Sequence, residues 1–257
     1  TGAKPRKDAI WAAVSRRGQG DAPVYLHNRD EAENWLVGLI EKELKAGRRV
    51  LIGFDFPFGY PTGFAAALTG SPDPFGVWDW FETNVQDTPM QNNRFDLAAQ
   101  INQNLGNGQG PFWSNGLRKR DIAGLPRTKT GYVNPFPDRR AAELRAKGSF
   151  TCWQMAGAGA VGSQVFTGLP VLSRLRKRFA GDVAIWPFDP LDAPVAFVEI
   201  WPSLTVRAAP ENMIKDAWQV QEIVRQVSAL DPAVLARILN VTAPEEGWIF
   251  GLGVETL

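Results

Sequence analysis

One cysteine and one histidine in 257 residues remove a large share of enzyme chemistry from consideration. Cys152 alone cannot close an intrachain disulfide or build a four-thiolate or Cys₂His₂ zinc site. His27 alone forbids paired-histidine metal motifs and leaves a histidine-dependent triad one candidate. Each has a plain reading, His27 as a strand-end surface residue and Cys152 as a small buried hydrophobe. No apolar run approaches the roughly 18 residues of a membrane-spanning helix. The polar, basic start Thr1–Asp8 lacks the apolar stretch of a secretory signal. With cysteine so scarce, the expectation is a cytoplasmic protein with no membrane partner.

Acids, bases and tryptophan are present in strength. Chemistry in this chain must lean on its 27 Asp and Glu, its 28 Lys and Arg, or a bound cofactor. Hydrophobic residues at 44% and charged residues at 21% fit a globular protein rather than a disordered one. Ten Trp offer stacking surface for a core or for a flat ligand.

The net charge of +1 hides an uneven spread. Residues 118–181 carry 13 basic and 3 acidic side chains, between flanks of net −2 and −7. Arg118, Lys119, Arg120, Arg127, Lys129, Arg139 and Arg140, followed by Arg145 and Lys147, make a candidate surface for substrate phosphates. A second cluster holds Arg174, Arg176, Lys177 and Arg178. The competing explanation is internal pairing with the acidic C-terminal third.

Periodicity lays out the elements. Ala9–Ser15 and Pro23–His27 read as strands joined by a Gly-rich turn. Asp30 and Glu33 suggest a capping box for a helix through Leu44 that stops at Gly47. Arg49–Phe56 is an apolar strand ended by Pro57, and Val183–Phe188 and Val195–Trp201 are further strands. Helical patterns cover residues 93–105, 164–179 (interrupted by Gly168 and Pro170) and 210–230. Residues 61–150, dense in Gly, Pro, Asn and aromatics, read as an inserted cap on an α/β core formed by 1–60 and 151–257. Trp78, Trp80, Phe81, Phe112 and Trp113 are expected to form that cap's own core, with base stacking as the alternative.

Three acids stand in costly places. Asp55 ends an apolar strand between two Phe, where sites of α/β folds are built. Glu199 shares a strand face with Val195, Phe197 and Trp201. Asp216 flanks the apolar stripe of its helix, where it also complements the macrodipole. Together they would suit a hard cation, Mg²⁺ or Mn²⁺, whose remaining positions take water and phosphate oxygens.

The order IGFDFPFGYP, then VEIWPS, resembles the Asp-x-Pro-x-Gly and Glu-x-x-Pro motifs of domain-of-unknown-function family 429. The resemblance spans residues 9–60 and about 160–220. It implies an RNase H-like mixed sheet flanked by helices and a metal-dependent nuclease. Asp55 and Glu199 match its acidic positions, with Asp216 a further catalytic and metal ligand. The family pattern places one more acidic strand before Ala9–Ser15. Only TGAKPRKD precedes it here, so that strand is expected upstream of Thr1 or is missing.

Two other readings compete. One is a non-catalytic binder of nucleic acid, nucleotide or cofactor on the same scaffold, tied by family naming to cofactor biosynthesis. The other is a dinucleotide-dependent enzyme, from Gly157-x-Gly159-x-x-Gly162 with Asp189 after the next strand.

Overall fold

The computed structural model describes residues 10–88, 91–206 and 208–254. Thr1–Asp8 and Ala9, the first residue of the expected first strand, lie outside them. Strand β1 (Ile10–Ala12) pairs antiparallel with β4 (Val24–Leu26), and β2 (Ser15–Arg16) with β3 (Gln19–Gly20) closes the turn between them. Helix α1 (Arg29–Lys45) follows at once. Its cap is Asn28, whose side chain accepts from Glu31 N at 2.9 Å, while the Glu31 carboxylate accepts from His27 N at 2.9 Å. The box therefore lies two residues ahead of the Asp30 and Glu33 reading, and Glu33 is free to pair with Arg174 at 2.6 Å.

β5 (Val50–Phe54) begins a three-stranded sheet in which every pairing is parallel. Its order is β5-β7-β6, with β6 at Val183–Ile185 and β7 at Val195–Glu199. Parallel and antiparallel pairs thus occupy separate sheets among the described residues, rather than one mixed sheet. β7 is buried on both faces, as a central parallel strand must be: Val195, Phe197 and Val198 are all within the core.

The segment 61–150 contributes α2 (Phe64–Thr69), α3 (Pro74–Asn84), α4 (Arg94–Gly106) and α5 (Ala141–Arg145). α6 (Val161–Arg178) then runs unbroken through Gly168 and Pro170 and packs against α1, α3 and α4. Two helices, α7 (Lys215–Ser228) and α8 (Pro232–Leu239), complete the order, and α7 lies over β1, β2 and β3.

The aromatics of 61–150 do not make a core of their own. Trp78, Phe81 and Phe112 share one buried cluster with Ile40, Phe58, Trp153, Phe166 and Phe197. Phe166 of α6 meets Phe81 at 4.6 Å and Phe112 at 5.0 Å between ring centroids. A second cluster joins Trp186, Val198, Ile238, Ile249 and Phe250 beneath α8.

Candidate functional site at the end of the parallel sheet

β5 and β7 finish level with each other, Phe54 opposite Glu199, so Asp55 leaves the sheet beside Glu199. Asp216, in the first turn of α7, comes to the same end, with Lys215 next to it. Asp55 is exposed at the surface of that end. Even so, packed protein thins the hydration of its charge, and the negative charges of Asp216 and Glu199 add to that effect. Together they push its carboxyl up to about 7 against the pull of Lys215. The charges of the other two acids singled out by sequence therefore reach Asp55. The three acids do not close into a cage: among the described residues, no three His, Cys, Asp or Glu side chains are grouped to hold a metal.

Glu199 shows why. Its Oε1 accepts from Arg140 Nη2 at 2.6 Å, and its Oε2 accepts from Arg140 Nη1 at 2.8 Å and Phe58 N at 3.0 Å. Both oxygens are committed in a site where Glu199 is 3% exposed and Arg140 0%. Arg140 also donates from Nε to Glu143 at 3.0 Å and from Nη1 to Glu246 O at 2.9 Å. Burial opposes the guanidinium charge, but Glu199 and Glu143 outweigh it and hold Arg140 above its ordinary value. Two sequence readings change as a result. Glu199 is the partner of an arginine rather than an open metal ligand, and Arg140 leaves the phosphate-facing set. Asp55 and Asp216 remain as the two acids at this end of the sheet whose charges bear on each other without an arginine clasp.

The loop after Asp55 is held by acids that the sequence reading passed over. Thr62 donates to Glu246 Oε1 through its N–H (2.7 Å) and hydroxyl (2.8 Å), and Ala141 N donates to Glu246 Oε2 at 2.7 Å. Gly63 N donates to Glu245 Oε1 at 2.7 Å. A side chain at Gly59 would stand 2.6 Å from Glu246 O, so the backbone approaches there only because the residue is glycine. Glu143, three residues from Arg140, was legible as a helical pair; Glu245 and Glu246 left no pattern to find.

The basic residues divide. Arg118 and Lys119 are exposed and Arg139 half-buried, with no side-chain hydrogen bond or ion pair among the described residues. Arg120 pairs with Asp96, and Arg127 binds Asp121 at 2.6 Å and Leu117 O at 2.7 Å. Lys129 lies 3.4 Å from Asp138 and over the Trp113 ring. The second cluster is internal: Arg174 meets Glu33, Lys177 meets Glu82 and Asp79, and Arg178 meets Glu41. Those partners lie on α1 and α3 rather than in the C-terminal third. Arg176 stacks 3.6 Å from the Phe75 centroid.

The glycine motif does not form a strand–turn–helix unit. Only an isolated bridge, Trp113 with Gln154, precedes it. Gly162 is required by packing, since a Cβ there would lie 2.6 Å from Cys152 O. Asp189 accepts from Ile185 N at 3.0 Å and so closes the turn after β6. Trp78, Phe81 and Phe112 are buried and present no face for stacking bases. Comparison with known proteins finds no matching family model, no similar curated protein and no similar solved structure.

Proposed function

We propose that this chain is a divalent-metal-dependent phosphodiesterase of nuclease type on an RNase H-like scaffold, with Asp55 and Asp216 as its metal-binding carboxylates. One observation carries the reading: Asp55 leaves the C-terminal end of a parallel strand pair beside Glu199, within reach of the charge of Asp216. A cation bound beside a carboxylate that neighbouring acids disfavour would relieve that repulsion. A bound Mg²⁺ or Mn²⁺ would polarise a phosphoryl oxygen and activate water. The chain's own groups supply the rest. Lys215 offers a cation beside Asp55, and Arg118, Lys119 and Arg139 are open to phosphates farther along a substrate.

The test is hydrolysis of single-stranded DNA, duplex DNA, RNA and hybrid by the purified chain with Mg²⁺ or Mn²⁺. Cleavage is expected, and Asp55→Asn is expected to reduce it to background. An unaffected variant would overturn the reading. The commitment of Glu199 to Arg140 favours a second reading, a binder of nucleic acid or nucleotide without catalysis. Salt-sensitive binding that needs no metal and survives Asp55→Asn would select it.

A further inference from the structure

The middle glycine of Gly157-x-Gly159-x-x-Gly162 has a task of its own: it seats an exposed aromatic ring. Gly159, with φ at +73°, lies against Phe150. An added Cβ would stand 2.2, 2.3 and 2.4 Å from Cδ1, Cγ and Cε1, so the glycine meets the face of the ring rather than its edge. The neighbours of Phe150 are buried and tied down. Ser149 donates from N to Ala146 O and from Oγ to Glu143 O, both at 3.1 Å. Thr151 Oγ1 donates to Asp138 O at 2.6 Å. Between them the Phe150 ring turns outward and is 49% exposed, one face on glycine backbone and the other toward solvent.

Cations accompany the ring along the chain. Arg139 stands just before α5, Arg145 ends it, and Lys147 follows three residues ahead of Phe150. Arg145 lies over the Trp248 ring at 5.3 Å, and none of the three meets a carboxylate among the described residues. From Arg139 to Ser173 the one acid in the sequence is Glu143, which is buried against Arg140. This surface therefore complements a polyanion.

We propose that Phe150 is a stacking platform for a base of a single-stranded nucleic acid, whose neighbouring phosphates rest on Arg139, Arg145 and Lys147. A duplex keeps its bases stacked on one another and leaves the ring uncovered. An acidic peptide would answer the cations but bring nothing flat to the ring; it would cover Leu144 of α5, which is 72% exposed. The platform rests on the nucleic-acid reading above and needs neither metal nor cleavage. Arg140 at the start of α5 grips Glu199, so this helix links the platform to the end of the sheet where Asp55 lies.

Fluorescence anisotropy of labelled oligonucleotides with the full chain tests this, with EDTA present so that no cleavage intervenes. Wild type is expected to bind single strands more tightly than a duplex of equal length, and more weakly as salt rises. Phe150→Ala, checked for folding by circular dichroism, should lose about tenfold on single strands and nothing on the duplex. Phe150→Trp and Leu144→Ala should keep the wild-type affinity. An abasic strand should bind wild type about tenfold more weakly than the strand with bases, a comparison that stands even if Phe150→Ala does not fold. No binding by wild type, equal binding of abasic and base-bearing strands, or an unchanged Phe150→Ala overturns the proposal. So does polyglutamate binding that outcompetes single strands and is lost in Leu144→Ala, which would select an acidic protein partner. Binding that depends on Phe150 without any cleavage keeps the platform and sinks the nuclease reading. Metal-dependent cleavage with binding indifferent to Phe150 does the reverse.

Discussion

Asp55 makes the stability of the fold depend on pH in a direction opposite to most surface acids. Packed protein and the charges of Asp216 and Glu199 push its carboxyl up to about 7 from an ordinary value of 3.8, so the folded state holds the proton more tightly than the unfolded one. The stability this confers is complete below the ordinary value and is lost as pH rises through about 7. Asp55→Asn cannot ionise and escapes that loss. The melting temperature of the variant relative to wild type is therefore expected to climb between about pH 4 and about pH 8 in thermal melts. A difference that stays flat would mean that Asp55 is not perturbed. Mn²⁺ added at the higher pH should narrow the gap by stabilising wild type alone.

Helix α6 shows how elements set the position of the site. Gly168 faces Phe56, the neighbour of Asp55, so closely that an added Cβ would lie 2.4 Å from the ring. Gly168→Ala gains roughly 1 kcal/mol of helix propensity, but overpacking costs about 1–3 kcal/mol. Net destabilisation is expected by urea denaturation, and Phe56→Leu in the same chain should recover part of it. A stabilised Gly168→Ala would show that Phe56 moves aside freely. The sequence made β5, β7, α1, α4 and α7 legible, because each carries an apolar period or a continuous apolar run. It made α6 look broken, because Gly168 and Pro170 are local breakers. Burial of Val165, Phe166, Leu169, Leu172 and Leu175 outweighs that local cost. α3 had a readable start in Asp73 and Pro74, a capping acid before a first-turn proline, inside a stretch that otherwise looks like loop. The acids at strand ends were legible as costly. What they pair with was not: Arg140 is 59 residues from Glu199, and no periodicity links them.

Across the whole molecule, the aromatic segment 61–150 and the sheet share one interior. Phe112 is fully buried against Tyr60, Trp153 and Phe166 from outside the segment and Phe64 from within it. Phe112→Ala is expected to cost about 3–5 kcal/mol of global stability. Unfolding followed by far-ultraviolet circular dichroism and by tryptophan fluorescence should trace one coincident transition. Two separated transitions would make the segment a cap that folds alone. The described helices include none long and apolar enough to cross a membrane.

The clasp of Glu245 and Glu246 on the loop after Asp55 also governs timing. Thr62 and Glu246 are 184 residues apart, so the loop has no fixed shape until most of the chain exists. During synthesis, Asp55 emerges early and waits with its neighbouring backbone donors in water. The acidic pair is assembled only when the late segment docks. A loop held this way takes its shape only once the segment that clasps it has docked.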